Sequence, residues 1–197
     1  MLKKVISPIL AMTFLIVSNM PAQAVTNEKT NNEIYVSYEE YMANVDYYLN
    51  CVDEGTVIRV QNPEGKSLAP NGSYGVSTMS AKSDDWYQYP TQGWDLDVKG
   101  DYNFAGSGAV WTKYYAYYSG EREPDRIYLQ LNCLGNTNDW GEGEFNIYNH
   151  GTFADSYTLK EGESVLTVLI TYGGEPEGAV YHATQDDFSG VFFLIDR

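Results

Sequence analysis

From residue 93 to the C-terminus, short apolar runs alternate with glycine-bearing turns too regularly for anything but an all-β layout. Turn signals fall at Gly120, Gly135, Gly141 and Gly143, Gly151, Glu161-Gly162, Gly173-Gly174 and Gly190. Between them lie eight candidate strands: 94–98, 109–118, 127–133, 144–149, 156–159, 165–172, 180–183 and 191–196. Turns at intervals of roughly 8–12 residues with period-two side-chain patterning mark an antiparallel sandwich. In 94–98, for example, Trp94, Leu96 and Val98 alternate with Asp95 and Asp97. The expected fold class is mainly β: an antiparallel β-sandwich or jelly roll. No alternation of strands with helices occurs in this half, which disfavours a nucleotide-binding parallel sheet.

The N-terminal half has a different texture. Residues 1–24 read as a secretory signal peptide. Lys3 and Lys4 form its charged region, 9–17 its apolar core and Ala22-Gln23-Ala24 its small-x-small cleavage site. That apolar core is well short of the roughly 20 residues that span a bilayer. The expected protein is therefore secreted, with no membrane attachment after cleavage. Residues 25–33 are polar and are expected to form a disordered tail. One amphipathic helix is predicted over about 37–50. Ser37 and Glu40 form a capping box, and Tyr38, Tyr41, Met42, Val45, Tyr48 and Leu49 trace one apolar face. A short strand at 56–60 follows. Residues 61–92, rich in Gly, Pro, Ser, Asn and Asp, are expected to be a polar linker or long loop. The domain reading is thus a signal peptide (1–24), a tail, helix and strand (25–60), a linker (61–92) and a sandwich domain (93–197).

Charge narrows the partners. The net charge is −15, and removing Lys3 and Lys4 with the leader leaves 10 basic against 27 acidic residues, a net −17. A field of this sign repels phosphate backbones, so no nucleic acid is expected as partner. An exported chain with two cysteines permits one disulfide. A Cys51–Cys133 bridge would close a loop of about 80 residues and contribute roughly 4 kcal/mol in the chain-entropy model; two independently buried thiols are the other reading.

Few constellations carry chemistry. Nucleophilic catalysis needs a base held against the nucleophile; the two histidines are His150, at a turn, and His182, near Asp186 and Asp187. No G-x-S-x-G elbow occurs. The glutamates cluster in turns, and none lies in an aromatic strand, where the compact bacterial xylanases carry their catalytic pair. Glu144 comes nearest. Asp95 and Asp97 with Gly100 match three positions of an EF-hand loop, but Lys99 and Gly106 occupy positions five and twelve, so the bidentate ligand is missing. The aspartate pair then reads as the wet face of a strand. Calcium is otherwise considered only for 136–139 and around Asp186-Asp187; no metal ligands, cofactor or catalytic residues are assigned.

The aromatic residues remain. Eighteen tyrosines and four tryptophans are present. In 109–118, Trp111, Tyr115 and Tyr117 share one face and Val110, Tyr114 and Tyr118 the other. One face must pack the core, which leaves the other as an aromatic platform of the kind on which sugar rings stack. Trp140, in a loop beside Asp139 and Gly141, joins Trp111, Tyr115 and Tyr117 as a candidate ligand contact.

The order of motifs Asn103-Phe104-Ala105-Gly106-Ser107-Gly108, Ser156-Tyr157-Thr158-Leu159 and Asp187-Phe188-Ser189-Gly190-Val191 resembles small secreted β-sandwich proteins of Gram-positive bacteria. In outline it is also similar to pre-peptidase C-terminal jelly-roll modules. The resemblance spans 93–197, implies a sandwich fold in a secreted bacterial protein, and implies no activity. The expected function is a non-enzymatic extracellular binding or accessory module, with a glycan or a protein as partner. A small secreted hydrolase of the glycoside hydrolase kind, or an interaction or inhibitor protein, are the alternatives.

Overall fold

The computed structural model describes residues 32–70, 78–79, 88–121, 125–135, 142–171 and 174–195. The expected signal peptide, residues 25–31 of the tail and Trp140 lie outside the described residues. Strands and helices are numbered along the chain. One sheet has seven strands, in spatial order β1 (Glu33–Ser37), β2 (Val57–Gln61), β11 (Glu163–Ile170), β8 (Arg126–Gly135), β13 (Asp187–Phe193), β5 (Tyr102–Ser107) and β3 (Thr78–Met79). The second contains β10 (Thr152–Lys160), β9 (Glu142–Asn149), β12 (Gly178–His182), β7 (Tyr115–Tyr117) and β4 (Gly93–Asp95), with β6 (Val110–Trp111) also paired to β12. The fold is mainly β, and its two sheets pack face to face.

Both sheets are mixed rather than purely antiparallel. The parallel pairs are β1 with β2, β3 with β5 and β4 with β7, and each involves an outermost strand. Antiparallel pairs of strands distant in sequence, β8 with β11 and β13 and β9 with β12, build the interior of the sheets, while the hairpin of consecutive strands β9 and β10 lies at one edge of the six-stranded sheet. Strand alternation divides the core. Ile127, Leu129, Leu131 and Cys133 of β8 point inward to meet Phe145 and Ile147 of β9 and Val180 of β12. Each of the larger apolar side chains removed from water here contributes about 1.5–3 kcal/mol.

The opposite face of the seven-stranded sheet is covered by helices α1 (Tyr38–Ala43) and α2 (Val45–Asp53), with Tyr41, Tyr48, Leu49 and Val52 packed on Ile58, Tyr128, Leu166 and Phe193. Strand β1, these helices and β2 form one β-α-β unit, because the parallel pairing of β1 and β2 requires a crossover. The predicted single helix is two. Ser37 caps α1 as expected, accepting from the Glu40 N–H at 3.1 Å. Asn44 then leaves helical geometry and its side-chain amide donates to the Glu40 carbonyl. Met42, expected on the apolar face, is 40% exposed.

Strands from before residue 61 belong to the same sheet as β8, so the sandwich is not confined to 93–197. The first part of the expected linker is also structural. Leu68 is fully buried, and its N–H donates to the Gln130 side chain. Gln130 in turn donates to Asn132, Ser164 donates to Asn132, and Asn62 donates to Ser164 and to the Lys66 carbonyl. These side chains satisfy one another, which makes burial of so many polar groups affordable.

Two strand expectations are corrected. The alternation over 94–98 continues past β4 not as a strand but as a single helical turn, α3 (Leu96–Lys99). Asp95, 8% exposed, caps that turn by accepting from the Asp97 N–H. Asp97 accepts from the Gly120 N–H at 2.7 Å. The aspartates are therefore turn-forming acceptors and not the wet face of a strand. The long strand over 109–118 is split into β6 and β7, because the Thr112 hydroxyl takes the Val180 N–H at 3.2 Å in place of a ladder carbonyl. The Cys51–Cys133 bridge is absent. Both are free thiols, Cys133 in the core between the sheets and Cys51 against the helix cluster on the far side of β8.

Candidate functional site

Outward positions of a sheet that faces water are ordinarily polar. The outer face of the six-stranded sheet follows this at one end, where Glu144, Ser156, Thr158 and Lys160 point outward, and departs from it around β6, β7, β12 and the end of β9. Alternation in β9 turns Phe145 and Ile147 inward and Tyr148 outward; in β12 it turns Val180 inward and Ala179 and Tyr181 outward. The register places Asn146, Tyr181 and Trp111 in one row across β9, β12 and β6. Small Ala179, fully buried beside them, leaves room for the Trp111 and Tyr148 rings to meet with centroids 4.7 Å apart. Tyr181 lies 5.2 Å from Trp111 on its other side.

Further rings widen the patch. Tyr89 stands edge-on to Trp111 at 6.2 Å and stacks on Tyr115 at 6.0 Å. Its hydroxyl donates to the Glu177 carbonyl, and burial raises the phenol well above its ordinary range. Tyr117 extends the row 5.8 Å beyond Tyr115, and Phe153, 55% exposed, leans edge-on against Tyr148.

Of the expected platform, Trp111, Tyr115 and Tyr117 do share this face although their strand is broken, while Val110, Tyr114 and Tyr118 join the inner core. Trp111 itself is only 3% exposed, and its indole N–H has no hydrogen-bond partner among the described residues. It forms the floor of the cluster rather than its surface. Half-buried Tyr115, Tyr117 and Tyr148 and exposed Phe153 offer the accessible rings. The sequence reading missed Tyr89, Tyr148, Tyr181 and Phe153. Period-two patterning in 144–149 and 180–183 carried the signal for Tyr148 and Tyr181. Nothing local marked Tyr89, which lies in the expected linker.

The second cluster is buried at one end of the sandwich. His182, fully buried between the Phe145 and Phe188 rings, has Nδ1 3.0 Å from the Gly108 carbonyl and Nε2 3.1 Å from the Thr184 hydroxyl. Thr184 lies 2.6 Å from Asp186 Oδ2, and Asp186 is fully buried. A side chain on Gly143 would meet Cys133 Sγ at 3.3 Å and His182 Nε2 at 3.6 Å, so thiol and imidazole flank the same glycine. Burial pushes the Cys133 thiol up to about 11 and lowers His182 from its ordinary value. Both shifts disfavour a thiolate–imidazolium nucleophile.

A third feature is a corner pocket of about 300 Å³ lined by Tyr35 and Val36 of β1, Arg59 and Val60 of β2, Glu40 of α1 and Glu163 of β11. Arg59 reaches across it to the Thr158 carbonyl at 2.9 Å and pairs with Glu33 at 3.0 Å and Glu163 at 3.7 Å, so its charge is already met. Among the described residues no three His, Cys, Asp or Glu side chains converge as metal ligands, and 136–139 lies outside them. No protein-family model and no curated protein matches the chain.

Proposed function

We propose that this chain is an exported, non-enzymatic binding module that takes a glycan on the outer face of its six-stranded sheet. One observation carries the reading: the row of Trp111, Tyr115 and Tyr148, with Tyr117 and Phe153 at its margins, on a face that alternation would ordinarily leave polar. Contiguous exposed aromatic surface marks interaction sites. Rings packed against one another hold their faces rigid, and Asn146, in the row of Tyr181 and Trp111, is placed to hydrogen-bond hydroxyls. The net charge of −15 favours neutral or amino sugars over polyanionic glycans. Such a role fits an accessory module working beside secreted enzymes.

The test is a glycan array with the wild-type chain and the Tyr115→Ala and Tyr148→Ala variants. Aromatic contacts are worth about 0.5–1.5 kcal/mol each, so each substitution is expected to weaken binding about 3- to 10-fold with unchanged far-ultraviolet dichroism. Binding of the wild type to no glycan above background would refute the proposal.

A further inference from the structure

Strand register sorts the aromatic face into rows. Tyr148 lies opposite Ala179 across β9 and β12, and Tyr115 opposite Gly93 across β7 and β4. Gly178 pairs with Ala116, which sets Ala179 beside Tyr115 and joins the two pairs into one row. Gly93 ends that row because nothing larger fits. A Cβ there would lie 2.8 Å from the Tyr115 ring and 2.5 Å from the Tyr117 ring, so both rings lie over its backbone.

The neighbouring row carries charge. Asp95 pairs with Tyr117, and the register of Gly178 with Ala116 sets Glu177 on the other side of Tyr117. Glu177 is half-buried, Glu175 is exposed, and Pro176 between them is buried and anchors the segment. Burial first, and then Asp95, Tyr115, Glu175 and Glu177, raise the Tyr117 phenol above its ordinary value, which puts all three carboxylates within electrostatic reach of that ring. Against them stands His150, with Nδ1 3.3 Å from one Glu177 oxygen. Lys99 and Lys113 sit over Trp94 and Tyr114, but among the described residues no lysine or arginine sits over Tyr115, Tyr117 or Tyr148. The same face also holds an unmet donor. The Trp111 indole N–H is buried among the Tyr89, Tyr148 and Tyr181 rings and has no acceptor among the described residues.

We propose, building on the glycan reading above, that the ligand is an amino sugar carrying free ammonium groups, stacked on the row of Tyr115 and Tyr148 with its ammonium against the row of Asp95, Tyr117 and Glu177. Adjacent rows on one face are two residues apart along each strand, about 6.6 Å. That is the span from the centre of a stacked pyranose, through an equatorial ammonium, to an oxygen hydrogen-bonded to it. The Tyr117 ring adds the attraction of an aromatic face for a cation. A neutral or N-acetylated sugar brings no charge to these carboxylates, and a lysine side chain brings no flat ring face to Tyr115. A sugar oxygen takes the Trp111 N–H when the Tyr89 ring turns aside, which relieves a buried donor that the free protein leaves unpaired.

Calorimetric titration at pH 6 in 150 mM salt, where the sugar amines are protonated, compares oligomers of glucosamine, N-acetylglucosamine and glucose of equal length and linkage. The glucosamine oligomer is expected to bind about tenfold tighter than the other two, or more. Glu175→Gln and Glu177→Gln should each weaken it up to about fivefold, and together about tenfold, while the other oligomers change less than about twofold. Glu175 has no side-chain hydrogen bond among the described residues, so its variant reads the charge alone even where Glu177→Gln disturbs the His150 contact. Glu161→Gln, in the turn at the other end of β10, removes one charge from the whole-molecule field and should change nothing.

Equal affinity for the acetylated or glucose oligomer would overturn the amino-sugar specificity and leave the glycan reading standing. A glucosamine preference that survives the double variant, or falls as much in Glu161→Gln, would also overturn it, because attraction to net charge alone gives that result. Binding of none of the three, nor of any other glycan, would overturn both.

Discussion

Gly190 sits where β13 passes Phe104 of β5, its partner in the register, and a methyl group there would press into that ring and to 2.8 Å from the Gln130 carbonyl. Overpacking of this kind typically costs 1–3 kcal/mol. Gly190→Ala is accordingly expected to lower the unfolding free energy by that amount, read in urea as a lower midpoint with little change in slope. The two thiols differ in a way that labelling reads directly. Cys133 is fully buried with its thiol raised, whereas Cys51 is only partly buried on α2. Alkylation of the native, unreduced protein should modify Cys51 well before Cys133, and unfolding without reductant should expose two reactive thiols. A chain that takes up no alkylating reagent until reduced would contradict the free-thiol arrangement. A cysteine count alone could not decide this, since it permits a bridge but says nothing of which face of β8 each thiol occupies.

Capping and strand alternation show what local sequence can and cannot specify. Ser37 holds the start of α1 through the Glu40 N–H as the capping box implies, and Ser37→Ala is expected to cost about 1 kcal/mol in thermal or urea unfolding. The helical stripe was legible, and Tyr41, Tyr48 and Leu49 are buried as it required. The break at Asn44 was not, because it depends on a side-chain bond to the Glu40 carbonyl that competes with the helix. In the same way the faces of 109–118 were legible: Trp111 and Tyr115 point outward, and Val110 and Tyr118 inward. The interruption at Thr112 was hidden, since the Thr112 hydroxyl bonds a strand nearly 70 residues away. Strand β1 was not foreseen: Glu33 falls in the expected tail, Ser37 is the helix cap, and the residues between carry no strand signal of their own, because they pair with β2 only through a helical crossover. Parallel edge pairs in general leave no turn signature between neighbours.

The described residues form three layers, helices, a seven-stranded sheet and a six-stranded sheet, with the buried Asn62, Gln130, Asn132 and Ser164 network fastening the segment after β2 to the sheet beneath it. That arrangement covers one face of the seven-stranded sheet with the protein's own helices. On the six-stranded sheet, Tyr89 and its neighbours cover Trp111 but leave Tyr115, Tyr117, Tyr148 and Phe153 in partial contact with solvent. Fold and aromatic face together were thus partly readable from period-two patterning, while the depth of Trp111 was set by Tyr89, distant in sequence. The glycan reading rests on this face. Its most direct test is to map backbone amide shifts in the nitrogen-15-labelled protein as the best-binding oligosaccharide is titrated in. The account predicts shifts clustered on β6, β7, β9 and β12 around Tyr115 and Tyr148, abolished in a Tyr115→Ala/Tyr148→Ala double variant. Shifts confined to the Arg59 corner, or unchanged by the double variant, would contradict it.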